Sequence, residues 1–306
     1  MKLIFKSDIK QWLDKLKPLH PVISDFCPNL KTDSPVKAII FSVYGTLLIS
    51  SSSKIQQDSI SKDNLKKAMI AGGFEMNGIN KPTYSLILEQ LILKIKLNDK
   101  EFNLNGHPLS NVNVINVWQE IFSEAENAGL LKLTGKESLA DTIMIFEILR
   151  NKVYPMAGIK EVLIKLKENG IPLGIVSNSQ FYTPIILNYF LTGKFSTKQE
   201  IDLFDPELCV FSYNELKAKP DVNLFDKIVK TLANKYGLLP DDSIFMGNDM
   251  LKDILPAKRN GLRTALFSGD ESSLQIRENE PKVKGMFPDF FINDFKQLLE
   301  IIKQVN

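Results

Sequence analysis

The chain has 306 residues, a formal charge of +2 from 38 basic and 36 acidic groups, and two cysteines, Cys27 and Cys209. That length exceeds one small core and predicts one large domain or a domain with a substantial insertion. Its charges are interspersed, which excludes a nucleic-acid footprint, and its distant cysteines exclude a disulfide framework or a zinc knuckle, so a reduced, cytoplasmic setting is expected.

The chain opens on "MKLIFKSDIKQWLDKLKP", where Lys and Asp interrupt every apolar run, so neither a signal-peptide core nor a membrane span is expected. Ile9, Trp12, Leu13 and Leu16 have helical spacing, with Ser7 as N-cap and Pro18 as stop. Residues 1–35 are therefore expected to be a helical extension that packs on the main body. Five apolar runs then read as buried strands: 37–41, 172–177, 208–212, 243–247 and 263–267. Each is nearly continuous in hydrophobic residues, as a strand covered on both faces requires. Helical patterns separate them, such as "GIKEVLIKLKENG", with Val162, Leu163 and Leu166 on one face, and "DVNLFDKIVKTLANKYG", with Ile228 and Leu232. This alternation argues an α/β fold, a doubly wound parallel sheet.

About 130 residues separate the first two strands, where a crossover needs only a dozen or so. They hold four helical patterns, "NLKKAMIAGG", "TYSLILEQLILKIKL", "VNVINVWQEIFSEAENAG" and "ESLADTIMIFEILRNK". Residues 51–154 are accordingly expected to form an inserted all-helical cap, with the Ser-rich tract around Ser51 to Ser53 as its hinge, and 36–50 with 155–306 to form the core. Trp118 and Phe122, at helical spacing, are expected to be cap core.

Ligands of an open parallel sheet lie beyond the carboxyl ends of its strands. Those ends carry "FSVYGTLL", "VSNSQFYTP", "ELKAKPDVNLF" and "MGNDMLKDILPAKRNG". Together they resemble the four motifs of the haloacid dehalogenase superfamily, mostly phosphohydrolases with a Rossmann-like core and, in many members, a helical cap after the first motif. The resemblance covers about Val36 to Ile292. It implies a nucleophile position at Ser42, an acid/base position at Tyr44, whose backbone carbonyl would also face a metal, and a charge-balancing lysine at Lys219, with Lys217 the alternative. It further implies phosphate binding by Thr46, Ser177 and Asn178, and Mg²⁺ binding by Asp249, Asp253 and Asn248, with either Asn248 or Asp249 facing the ion. Taken singly, Ser177 and Asn178 would also serve as helix caps, and Asp249 and Asp253 would suit a helical first turn.

Two positions depart from the family pattern. Family members carry an aspartate nucleophile where this chain has Ser42, and family phosphatases commonly carry a second aspartate where it has Tyr44. A carboxylate attacks without a base, whereas a serine must first lose its proton, and the two histidines, His20 and His107, lie in the extension and the expected cap. Losing the carboxylate also weakens any Mg²⁺ site. The expectation is a phosphatase-type scaffold for a small phosphorylated or anionic molecule, impaired or inactive as it stands. The alternatives are a pseudoenzyme that binds a ligand or a protein partner, and an active Mg²⁺-dependent phosphohydrolase if the natural residue at 42 is Asp.

Overall fold

A computed structural model describes residues 4–50, 61–75, 81–104 and 113–303 of the chain. The expected hinge at Ser51 to Ser53, and His107, lie outside the described residues. A one-turn helix α1 (Lys10–Leu13) precedes strand β1 (Ala38–Phe41) and a short β2 (Leu48–Ser50). Four helices follow, α2 (Lys62–Ala71), α3 (Lys81–Leu104), α4 (Val114–Asn127) and α5 (Leu139–Arg150), before the chain returns through β3 (Val153–Pro155). Next come α6 (Ile159–Glu168), β4 (Leu173–Ser177), α7 (Tyr182–Thr192), β5 (Cys209–Phe211), α8 (Ser212–Glu215) and α9 (Asp226–Tyr236). The remainder is β6 (Ser243–Gly247), α10 (Leu255–Arg259), β7 (Arg263–Phe267), β8 (Phe290–Ile292) and α11 (Lys296–Lys303).

The main sheet runs β5-β4-β1-β6-β7-β8, and all its strand pairs are parallel. Strand alternation explains the double winding. Ile39 and Phe41 of β1 join a cluster with Leu163 of α6, Ile185 of α7 and Leu298 of α11. Ala38 and Ile40, pointing the other way, pack with Ile228 and Leu232 of α9 and Ala257 of α10. Both faces are apolar because both are covered, which is why these strands read as unbroken hydrophobic runs. The sixth strand, β8, was not expected: its apolar residues stop at Asp289 and Asn293, too few to register as a run, whereas the equally short β5 lies within the longer run 208–212, and the place of β8 is set by pairing with β7 on one side and with Asn29 on the other.

Helices α2 to α5 pack as a ring, α2 on α3 and α5, and α4 on α3 and α5. Ser61, Asn113 and Ser138 cap α2, α4 and α5 by accepting from backbone N–H groups of the first turn. Trp118 and Phe122 lie inside this ring, against Phe146 and Phe74. The antiparallel pair β2 and β3, also unexpected, brings together the two chain crossings between these helices and the sheet.

The N-terminal segment requires a correction. Its helix is limited to Lys10–Leu13, and Ser7 does not cap it. The backbone N–H groups of Lys6 and Ser7 instead donate to the buried Asp141 carboxylate of α5, at 2.8 and 2.9 Å, and the Ser7 hydroxyl donates to the Ala71 carbonyl. These bonds tie the segment ahead of the helix to α2 and α5. The expected apolar face is still used: Ile9 and Leu13 are buried, and Trp12 and Leu16 pack against the same core.

Candidate functional site

The first loop continues the sheet for one more bond, since Ser42 N–H donates to the Met246 carbonyl at 2.8 Å. The chain then turns back sharply, with Gly45 N–H donating to Leu48 and Leu48 N–H to Val43. Gly45 has φ +77°, and a Cβ there would lie 2.5 Å from Asn248 Nδ2, so only glycine suits both the turn and the approach of the fourth loop.

The second and third loops are tied together. Asn178 accepts from Lys219 N–H at 2.7 Å through Oδ1 and donates to the Lys219 carbonyl at 3.0 Å through Nδ2. Ser179 N–H donates to the Ser212 hydroxyl at 2.8 Å. Asn178 therefore sets the backbone of Lys219, and α7 begins without any side-chain cap, so neither Ser177 nor Asn178 does the capping job open to it. Lys219 is buried; its ammonium donates to Ser42 Oγ at 2.9 Å and pairs with Asp253 Oδ1 at 2.5 Å. The alternative lysine, Lys217, does not line the cleft.

In the fourth loop a wide turn at Met250–Ile254 is capped by Asp249, whose Oδ1 accepts from Leu251 and Lys252 N–H. The same carboxylate takes both arms of Arg277, Nε at 3.2 Å and Nη2 at 2.7 Å, and this raises the guanidinium above its usual value. Asp253 folds back beneath Gly247, where a Cβ would come within 2.4 Å of its carboxyl carbon. Its Oδ2 accepts from Asn248 and Asp249 N–H at 3.0 and 3.1 Å. The Asn248 amide is likewise engaged, donating to the Ser273 carbonyl and accepting from Thr46 Oγ1.

Every expected site residue except Thr46 lines a single cleft of about 200 Å³, and Lys252 joins them at its mouth. Thr46 is fully buried behind the cleft against Asn248. Tyr44 turns its hydroxyl to Thr183 Oγ1 at 2.8 Å. Burial pushes that phenol far above its usual range, Glu147 adds to the effect, and a group so shifted stays protonated at neutral pH. The other candidate nucleophile in the sheet, the Cys209 thiol, is pushed up to about 12 by burial and does not line the cleft.

Sequence reasoning missed Lys252, although it stands inside the fourth motif, and Arg277, whose position 28 residues beyond Asp249 offers no local signal. Among the described residues no group of three or more His, Cys, Asp and Glu side chains is placed to hold a metal, and no helix is long and apolar enough to cross a membrane.

Residues 109–267, just over half of the chain, match the family described as haloacid dehalogenase-like hydrolase, a span that starts downstream of Ser42. The chain is 25% identical over 150 residues to glyceraldehyde 3-phosphate phosphatase of Pyrococcus furiosus; the match covers 49% of this chain and 55% of that protein, so the chain spans about half the length of this curated relative. Among solved structures, 2-haloacid dehalogenase from Pseudomonas syringae pv. Tomato DC3000 aligns with a TM-score of 0.55 at 14% identity, covering 87% of this chain and 98% of that one. A HAD phosphatase from Thermococcus onnurineus aligns with a TM-score of 0.49 at 18% identity, covering 88% and 98%.

Proposed function

The chain belongs to the haloacid dehalogenase-like hydrolases, with a phosphatase-like scaffold, and from that premise we propose that its cleft binds a small phosphorylated or otherwise anionic molecule while turning over phosphate esters only in trace. The observation that carries this reading is the environment of Ser42. Its hydroxyl receives a hydrogen bond from Lys219, and Lys219 is ion-paired with Asp253. An ion-paired ammonium donates protons to its neighbours and abstracts none, so Lys219 is no base for Ser42. Tyr44, protonated and bonded to Thr183, does not supply one.

In this reading residues 36–50 and 155–306 are the core, 51–154 are the cap that selects the ligand, and 1–35 are an extension bracing cap and core. The anion sits between the Ser177 hydroxyl and the ammonium groups of Lys219 and Lys252, which line the same cleft. Asn178 contributes by holding Lys219 in place. The free cysteines Cys27 and Cys209 suit a cytoplasmic setting. Glyceraldehyde 3-phosphate, the substrate named for the archaeal relative, belongs in the first panel of esters to be tried.

Magnesium is the cofactor that the family implies, and the donor set here fits it poorly. Ser42 offers a neutral hydroxyl, Tyr44 a neutral backbone carbonyl, Asn248 an amide engaged at both ends, and Asp249 and Asp253 carboxylates already bonded to protein cations.

The deciding experiment assays the chain and a Ser42→Asp variant against phosphate esters with and without Mg²⁺. Turnover by the variant alone supports a scaffold that lacks its nucleophile. Equal rates for the two proteins would refute the account of Ser42.

A further inference from the structure

We propose that Arg277 and Lys219 are the resident counter-cations of the fourth loop, so that this cleft takes its anion without a divalent cation. The inference rests on the reading of the cleft as an anion site and concerns what balances its charge.

Magnesium demands a near-octahedral shell of oxygens and draws one or two carboxylates from its protein. The two carboxylates of this cleft are both spoken for. Asp249 presents Oδ1 to two backbone N–H groups and to Arg277 Nε, and Oδ2 to Arg277 Nη2. Asp253 gives Oδ1 to Lys219 and Oδ2 to two further backbone N–H groups. The planar guanidinium fork matches a carboxylate in two parallel bonds, a geometry that no lysine reproduces. For a metal to recruit Asp249 it would have to compete with Arg277 for Oδ2, the less occupied oxygen, beside a guanidinium charge that repels it. Recruiting Asp253 would strand an ammonium that is only 3% exposed.

The placement of Arg277 is built into the chain rather than left to a mobile side chain. Gln275, two residues earlier, is pinned to the fourth loop through both of its backbone groups, donating to the Asn248 carbonyl at 2.8 Å and accepting from Met250 N–H at 2.9 Å. Arg277 itself has φ 60°, a left-handed conformation that L side chains seldom adopt, and from there its fork reaches Asp249.

Charge balance points the same way. Asp249 and Asp253 are cancelled by Arg277 and Lys219. Ser42 adds no charge, and Lys252, which lines the cleft, makes no ion pair with any described residue. The cleft is thus left with one positive charge before any ion arrives. An aspartate at position 42 would cancel that charge; the hydroxyl leaves it to meet an anion.

Mn²⁺ serves as the spectroscopically visible probe of the metal, titrated by electron paramagnetic resonance, and inorganic phosphate as the probe of the anion, titrated by calorimetry. The full chain is expected to hold Mn²⁺ only above about 5 mM. Arg277→Gln, which frees Asp249, should bind it about tenfold tighter, and Arg277→Lys, which keeps the charge but loses the fork, should fall between that variant and the parent. Phosphate affinity of the parent should agree within about twofold between EDTA and 5 mM MgCl₂. Submillimolar Mn²⁺ binding by the parent, a measurement that needs no variant to fold, would overturn the metal claim alone. So would a phosphate affinity that rises about tenfold with Mg²⁺. Phosphate bound in neither buffer would instead overturn the anion-site reading, and the claim of metal-free binding with it.

Discussion

The first and fourth loops face each other across one cleft and reach electrical balance by opposite routes. The first has no charge to balance, because Ser42 and Tyr44 are both neutral side chains. The fourth keeps two carboxylates and pairs each with a cation from elsewhere in the chain, Asp249 with Arg277 and Asp253 with Lys219. A charge can therefore be absent from a site or present and occupied. Only the first condition shows in a motif, because the occupying cation of the second comes from 28 or 34 residues away.

The sharpest way to break this contrast is to charge the first loop. Ser42→Asp is expected to raise phosphate-ester turnover at least about a thousandfold over the parent, read as phosphate release, because a carboxylate attacks without a base. The next experiment uncharges the fourth loop from its partner's side. Lys219→Met leaves Asp253 buried and unpaired and should cost about 3–5 kcal/mol in urea unfolding, whereas Lys219→Met with Asp253→Asn should recover most of it. Recovery is the informative arm: without it, the loss belongs to packing against Phe245, over whose ring the Lys219 ammonium lies, rather than to charge.

A smaller loss is expected where the two loops touch. Gly45→Ala combines a left-handed backbone with a Cβ set against Asn248, and about 1–3 kcal/mol is expected by thermal or urea denaturation. The smallest effect belongs to a carboxylate outside the cleft. Burial alone would raise the Asp289 carboxyl, but bonds from Thr264 and Lys258 outweigh it and hold it below its usual value. A depressed carboxyl stabilises the fold above its unfolded value of about 3.9 and loses that contribution as pH falls through the folded value. Asp289→Asn should therefore cost less than about 1 kcal/mol at neutral pH, since the Lys258 pair is solvent-screened, and the gap from the parent should close in acid below about pH 4. A gap that persists there would assign the loss to the Thr264 hydrogen bonds instead.

Legibility in the sequence follows the range of the interaction. The five expected strands were readable because burial on both faces writes itself into consecutive residues, and the cap helices because a 3.6-residue period needs only a dozen neighbours to show. The three-residue β8, and the β2 and β3 pair, depend on partners far along the chain and left no run to read. The N-terminal helix was expected too long: its local period is sound, but the helix stops at Leu13, and Asp141, 134 residues from Ser7, holds the chain ahead of it. The cleft divides likewise. Ser42, Ser177, Lys219 and Asp253 were found at strand ends, where topology gathers ligand groups. Thr46 satisfied the same local pattern yet turns into the protein toward Asn248.

The sequence by itself determined the order of the five expected strands and of the helices between them, the place of the helical insertion and the residue types at the strand ends, Ser42 among them. Each of these is a property of residue type at a position, or of period within a window. Tertiary structure alone decided which side chains remain free to act. It gave Lys219 to both Ser42 and Asp253, spent the Asn178 amide on backbone, and brought Arg277 onto Asp249. A hydrogen bond or ion pair consumes the capacity of both partners, and pairing across a fold depends on how distant segments pack.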